Sequence, residues 1–509
     1  MSKSVNQLRA GAMLSYANLA LSSIIPFIYT PIMLRMLGSA EYGLYSLSHS
    51  AIAYLSLLSF GFGSTILRYL SMYRAKGDVE NERKTFGFFL LVYCGVAVLV
   101  MIGGLIISFN IEPIFEKGLT VDELSKMRIL VQLMAFSSAI SFPISVFSSV
   151  TMAHEKYVFR KLMDMVATVI APVGNLIALY MGFASVGMAV VSVIVQFMIL
   201  PVNIYYCFTK LKIYPKFAII PKEFIKEMLG FSVFVFMATL VDMLFWSTDK
   251  VLLGMFAGST AVAVYNIGST FNSMVTNLST SLSSVLTPRI TAMVTTDATS
   301  DELTELFIRV GRLQYIVVAL IVSGFTVFGR AFVTLWAGEE FIGAYWVAIM
   351  TMFPLCIPLI QNTGLSIVTA QNKHHFRAIV YLIIAIANVV ATYFAIPKWG
   401  GIGAAVCSGI SYILGQGIVM NLYYWKVTKI DIPLFWKNIG KMSVVPGIML
   451  GIGILMKITN DINNWITFFL GVSLYVMIYG GLMYKLSLND YEKSVFSNML
   501  RKIMMNGWI

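Results

Sequence analysis

Residues 88–107 read FFLLVYCGVAVLVMIGGLII, twenty consecutive positions without a charged side chain. At about 1.5 Å of rise per residue, twenty residues make a helix of roughly 30 Å, the thickness of a bilayer's hydrocarbon core. A strand of a closed membrane barrel would show about ten residues of alternating polarity instead. The run is continuously apolar, so it reads as a membrane-spanning helix. Fourteen runs of comparable length follow one another along the chain. They lie near 11–34, 43–68, 85–109, 129–152, 161–182, 184–207, 229–257, 263–290, 310–336, 345–370, 376–397, 401–424, 440–459 and 464–485.

Composition agrees. Of 509 residues, 58% are hydrophobic and 12% charged, with a mean hydropathy of +0.81, whereas soluble domains carry about 25% charge. A water-soluble fold of this length has too little interior to hide that much apolar surface, which excludes a cytosolic enzyme, a secreted module and a disordered chain. The expected fold class is an all-α membrane protein of about fourteen transmembrane helices. Lys3 and Arg9 precede the first apolar run and no small-residue cleavage site follows it, so the first helix reads as retained and not as a signal peptide. Cys94, Cys207, Cys356 and Cys407 all fall in apolar runs with no metal-ligand spacing, and read as small core hydrophobes.

The net charge of +12 would suggest nucleic acid in a soluble protein. Here it sorts by side of the membrane. With the N-terminus placed in the cytoplasm, 28 of the 36 Lys and Arg residues fall at cytoplasmic ends and seven at outer ends. Lys250 lies within a span. That asymmetry orients the chain with both termini cytoplasmic, and no nucleic-acid partner is expected. The longest connections, near 110–128 and 208–228, are too short to hold a nucleotide-binding domain, and no G-x-x-x-x-G-K-[ST] loop occurs. A membrane-embedded glycosyltransferase or polymerase would want catalytic carboxylates or a cationic site on a sizeable loop. The chain shows neither, so no enzyme activity, cofactor or metal is expected.

The second half of the chain echoes the first at an offset of about 216–221 residues. Leu37-Gly38-Ser39 with Tyr45 matches Ala257-Gly258-Ser259 with Tyr265, and Arg68 matches Arg289. Ala153-x-x-Lys156-x-x-Phe159-Arg160 matches Ala370-x-x-Lys373-x-x-Phe376-Arg377. Gly187-x-Ala189-Val190-x-Ser192 matches Gly403-x-Ala405-Val406-x-Ser408. Four matches in the same order define a repeat of six helices. An even number gives both copies the same orientation, with a pseudo-two-fold axis along the membrane normal. The expected organisation is a lobe over 1–208, a basic cytoplasmic linker over 209–228, a second lobe over 229–426, and two further helices with a cytoplasmic tail over 427–509. A two-lobed carrier follows from the repeat.

Six helices, six helices and two, together with Leu37-Gly38 before Glu41-Tyr42-Gly43-Leu44-Tyr45 and Arg68-x-x-x-x-x-Arg74-x-Lys76-Gly77-Asp78, resemble the polysaccharide transporter branch of the MOP superfamily. That branch includes the O-antigen (Wzx-type) flippases. The resemblance implies transfer of a polyprenyl-pyrophosphate-linked oligosaccharide, an O-antigen or capsule repeat unit on undecaprenyl pyrophosphate, across a bacterial inner membrane by alternating access. It also implies membrane lipids as partners and H+ or Na+ as coupling ion. A cation-coupled multidrug exporter and a lipid II flippase are the alternatives on the same fold.

Such a task needs a hydrated polar cavity and cations for the pyrophosphate. Ionisable groups within membrane helices are costly and face an interior by default, which selects Asp242, Asp249 and Lys250. Seven helical steps separate the two acids and turn about 700°, so they are expected on one face with Trp246 between them. The plainer reading is neutralisation within the bundle, or a Lys250 stem reaching outward. Arg68 and Arg289 close the cytoplasmic ends of their helices, where guanidinium groups pair with phosphate oxygens or simply anchor at the interface. Arg35, near the outer end of the first helix, completes the candidates. Lys161 and Asp164 read as a local ion pair. His49 stands alone, and His374-His375 sit in a basic turn.

Overall fold

The computed structural model describes residues 2–218, 222–284, 290, 292–294, 299–371, 373–459, 464–494 and 497. Regular structure among them is helical throughout. Among the described residues, eleven helical stretches are long and apolar enough to cross a membrane. Two of them, Ala17–Ala75 and Phe376–Lys426, run to 59 and 51 residues, well over twice the roughly 20 that a crossing needs. Each is divided by a residue outside helical geometry: Gly38 at φ 76°, ψ 169°, and Gly400 at φ 54°, ψ −139°. The two stretches therefore supply four helices of crossing length. The run expected near 263–290 corresponds to the helix Ser259–Ser284, which is too polar to qualify on hydropathy.

That polarity has a use within the bundle. Asn272 and Ser279 are almost fully buried. The Asn272 amide donates to Thr351, and the Ser279 hydroxyl donates to the Leu359 carbonyl at 3.1 Å. Polar side chains of this kind hold helices together where lipid offers no hydrophobic driving force. The opposite case is the helix Val79–Phe109, on which Val98, Leu99, Ile102 and Ile106 stand exposed. On a soluble protein such a face would be an aggregation site; on a membrane helix it is the lipid-facing stripe.

The chain forms two compact units, Met1–Ala263 and Val264–Ile509. The core of the first is built from Phe62, Ile66, Phe86, Phe89, Phe142 and Val146, with the Phe86 and Phe147 rings edge to face at 5.5 Å. In the second, Phe307, Tyr424 and Phe435 form one cluster and Phe328, Met449 and Tyr475 another.

The two units share local devices. Phe159 stacks on Tyr206 at 3.7 Å and 6°. Phe376 stacks on Tyr423 at 4.4 Å and 8°, both rings displaced by 217 positions. Asp78 caps the helix starting at Val79 by accepting from the Asn81 backbone N–H, and Thr299 caps the helix starting at Ser300 by accepting from Glu302, an offset of 221. The Asn81 N–H holds the Asp78 carboxyl below its usual range, since a hydrogen bond to the charged form favours it.

Residues 211–218, the described first half of the expected linker, do not hang free. The Lys216 backbone donates to the Arg83 carbonyl at 3.0 Å and its ammonium pairs with Glu80 at 2.9 Å. A Cβ at Gly87 would lie 2.5 Å from the Lys216 oxygen, so this glycine lets the strap lie directly on the helix. Asp164 pairs with Arg160 at 3.0 Å and more loosely with Lys161 at 3.9 Å.

Candidate functional site

Two crossings of the first unit are discontinuous, and they are packed against each other. The second crossing leaves α-helical geometry after Ala53, runs through a 3-10 segment Tyr54–Ser59, and resumes at Phe62–Ala75. At the join, Phe60 (φ 49°) and Gly61 (φ 69°) both lie in the left-handed region. That region is open to glycine but strained for a bulky residue. The seventh crossing is the helix Lys222–Trp246 followed, after Ser247, by Thr248–Phe256. Non-helical backbone at membrane depth is tolerated where protein buries it or a cavity takes it.

The contacts between these crossings run antiparallel. Thr65 and Ser232, both buried, share a hydrogen bond at 2.8 Å. The Phe60 ring stacks on Phe236 at 5.3 Å, and a Cβ at Gly61 would meet Val235 at 2.7 Å. Further along, the Tyr54 hydroxyl hydrogen-bonds Thr248, and Leu47 packs on Gly254. The two breaks are therefore joined by the Tyr54–Thr248 bond. A double-mutant cycle of Tyr54→Phe with Thr248→Val is expected to give a coupling of about 0.6 kcal/mol, up to roughly 1.7, the range for hydrogen bonds between membrane helices. Unfolding titrations in mixed micelles measure it, and a coupling of zero would mean that the join is loose.

This join brings together five polar side chains. Asp249 has no exposed surface and sits in the first turn of Thr248–Phe256. It interacts electrostatically with Tyr54 and with Lys250. The charge of Lys250 also acts on His49 of the second crossing. Asp249 and Lys250 thus fall in one cluster with His49, Tyr54 and Thr248.

The other candidates do not join it. Arg35 is exposed, three positions before the Gly38 break. Arg68 is exposed on the helix Phe62–Ala75, its guanidinium 5.9 Å from the centre of the Tyr69 ring. Arg289 lies outside the described residues. The expected stripe through Asp242, Trp246 and Asp249 does not form: the helix ends at Trp246, and Asp242 is exposed where Asp249 is fully buried. His49, Tyr54 and Thr248 were not singled out by the sequence. Their partners are about two hundred positions away, and no local motif marks them.

At the Gly38 end of the same unit, the turn from the seventh to the eighth crossing is clasped by the first bundle. Ser259 donates to Glu123, while Glu41 accepts from Lys126 and, at 2.5 Å, from Ser185. A Cβ at Gly43 would fall 1.8 Å from the Ser259 carbonyl oxygen, and one at Gly118 would fall 2.1 Å from that of Gly254. Backbone touches backbone at both places.

The discontinuous crossings, joined around buried polar groups, belong to a fold that known proteins share. The chain belongs to the polysaccharide biosynthesis protein family, whose model matches residues 8–294. Its structure is similar to "Lipid II flippase MurJ, inward closed conformation", with a TM-score of 0.71 at 16% identity, over 93% of this chain and 98% of that one. It is similar also to an inward-facing multidrug resistance MATE family transporter of the MOP superfamily (TM-score 0.63, 13% identity, 82% of this chain and 98% of that one). A third likeness is to a MOP superfamily transporter from Pyrococcus furiosus whose binding pocket is described as having reverse polarity (0.53, 12%, 82% and 93%). At these identities the likenesses are of fold. No curated protein matches the sequence.

Proposed function

We propose that this chain is a flippase for a polyprenyl-pyrophosphate-linked oligosaccharide, an O-antigen or capsule repeat unit, acting by alternating access in a bacterial inner membrane with both termini cytoplasmic. The observation that carries the reading is the polar cluster at the joined breaks, within a chain of the polysaccharide biosynthesis family. A carrier of a charged, hydroxyl-rich head needs polar groups at membrane depth, and ionisable side chains there are too costly to keep without a role. Lys250 supplies positive charge for the pyrophosphate, and Arg35, Arg68 and Arg289 supply it near the ends of their helices. Asp242 and Asp249 are the acids available to H+ or Na+ as coupling ion. The repeat-related lobes 1–208 and 229–426 are the bodies that rock, with 209–228 between them and 427–509 appended.

The test is transfer of a lipid-linked oligosaccharide across proteoliposome bilayers by wild type, Asp249→Asn and Arg68→Ala. We expect substrate-dependent transfer that drops roughly tenfold or more with Asp249→Asn, the range over which one lost charged contact weakens a polar site. Movement of lipid II alone would assign the chain to that alternative. Ion-driven movement of cationic dyes, with no lipid-linked substrate transferred, would assign it to drug export.

A further inference from the structure

The second unit carries a basic face that the transport reading does not use. Between Lys426 and Lys441 the chain has four lysines, at 426, 429, 437 and 441, and one acid, Asp431. All four lysines are exposed, and among the described residues none of them pairs with an acid. The Asp431 carboxylate accepts from the Leu434 backbone N–H at 2.9 Å and so caps the helix Ile432–Met442. That helix has two faces. Ile432, Phe435, Ile439 and Met442 are buried, with the Phe435 ring 4.8 Å from that of Phe307. Leu434, Lys437 and Lys441 are exposed, and their spacing of i, i+3 and i+7 puts them together on the other face. After Lys441 the chain passes through Ser443 into the apolar helix Val444–Thr459, with no further charge before Lys457. The lysines therefore lie where an apolar run begins.

The turn before the helix adds to this face. Lys429 has φ 60°, in the left-handed region that disfavours a side chain, and it stands exposed between the buried Thr428 and Ile430. The Thr428 hydroxyl donates to the Tyr424 carbonyl at 2.7 Å and the Ile430 N–H to the same oxygen at 3.0 Å, closing the turn. Trp425, also exposed, precedes it. The first unit makes a similar corner at Lys212 (φ 56°), closed by the Ile213 N–H on the Cys207 carbonyl at 3.2 Å. There the basic segment folds back on protein, Lys216 pairing with Glu80. In the second unit no carboxylate takes that part.

We propose that Trp425, Lys426, Lys429, Leu434, Lys437 and Lys441 form a docking surface for anionic phospholipid headgroups. The inference does not depend on what the protein transports. Charge complementarity selects the occupant: unpaired positive charge at the start of an apolar span meets the phosphates of the headgroup layer, where each lysine contributes about a fivefold preference. Trp425 and Leu434 fit the same layer, in which amphipathic rings and apolar side chains settle beside basic ones.

The test uses the full chain without its four native cysteines, reconstituted in proteoliposomes and carrying a bimane label on Gly440→Cys. A Cβ at Gly440 meets no atom within 4 Å, so the label reports on this face without displacing a neighbour. Quenching by phosphatidylglycerol spin-labelled near the top of its acyl chain, compared with phosphatidylcholine labelled alike, gives the relative affinity. We expect phosphatidylglycerol to be preferred roughly tenfold or more at about 10 mM salt, and the preference to fall about fivefold with Lys437→Gln or with Lys441→Gln. Lys437→Arg and Lys441→Arg keep the charge and should stay within about twofold. Lys398→Gln, an exposed lysine on the helix His374–Tyr412, should change nothing. At about 1 M salt the preference should vanish, because screening then acts within roughly 3 Å. A preference that both glutamine variants leave intact overturns the proposal, as does one that survives high salt. The salt titration needs only the labelled parent chain, so it decides even where a glutamine variant fails to fold. A label shielded from both lipids, and freed when the protein is diluted in the bilayer, overturns the proposal in favour of a second copy on this face.

Discussion

Replacing Glu492 with alanine is expected to destabilise the chain by about 3–5 kcal/mol, the cost of leaving one member of a buried ion pair without its partner. Arg312 and Glu492 are almost fully buried, with side-chain exposures of 8% and 1%. The guanidinium donates Nε to Glu492 Oε1 at 2.6 Å and Nη2 to Oε2 at 2.8 Å, the two-pronged geometry that suits a carboxylate. Nη2 also reaches the Ser487 carbonyl at 2.9 Å. Asn489 and Glu492 complete the arrangement by bonding side chain to backbone in both directions, at 2.9 and 2.8 Å. The segment after the helix Trp465–Leu486 is thereby fixed to the helix Ser300–Ala337 by one two-pronged charge pair and a bond to the Ser487 carbonyl. Truncation leaves the arginine buried and positive. The double change Arg312→Met with Glu492→Leu should recover most of the loss, because an apolar pair of similar volume replaces a buried ion pair at little net cost. Thermal and denaturant unfolding in detergent measure both. A double variant as unstable as the single one would show that the segment is held by packing and not by charge.

The second large effect is expected at the clasp. Gly43→Ala puts a methyl group where the Ser259 carbonyl oxygen already sits, 1.8 Å away. The obstacle is backbone, so no side-chain rotation relieves it and the helices must part. The cost should exceed the 1–3 kcal/mol usual for overpacking, and the Ser259–Glu123 hydrogen bond should be lost with it. In a background lacking the four native cysteines, a Ser259→Cys probe is expected to react slowly with a membrane-impermeant maleimide. Adding Gly43→Ala should speed that reaction roughly tenfold or more, as a protected site becomes an open one. Equal rates in both backgrounds would mean that the clasp is not the resting arrangement in the bilayer.

The fold was legible wherever the signal was local. Runs such as 88–107 state their own length and environment, and the match of Phe159 with Phe376 falls on two similar contacts: Phe159 on Tyr206, Phe376 on Tyr423. Even the helix Ser259–Ser284, poor in hydropathy, fell into place between its neighbours. The breaks were harder. No proline marks 54–61, and the left-handed backbone falls on a phenylalanine before it reaches the glycine. Once the seventh crossing breaks at Ser247, helical periodicity carried across that point misplaces Asp242 relative to Asp249. The site was half legible. An intramembrane charge is conspicuous by type alone, which singled out Asp249 and Lys250 as candidates. A histidine is not, and the lysine whose charge acts on His49 lies 201 positions later. Arg312 and Glu492, 180 apart, were invisible for the same reason.

The two aromatic stacks also bear on how damage would spread. Phe159 on Tyr206 and Phe376 on Tyr423 are the same contact made once in each unit, as the helix caps at Asp78 and Thr299 are the same device used twice. A substitution that loosens one stack therefore leaves the other standing. The Arg312–Glu492 pair has a different reach: it ties the segment after the helix Trp465–Leu486 to the helix Ser300–Ala337, and its loss frees that segment while both stacks hold.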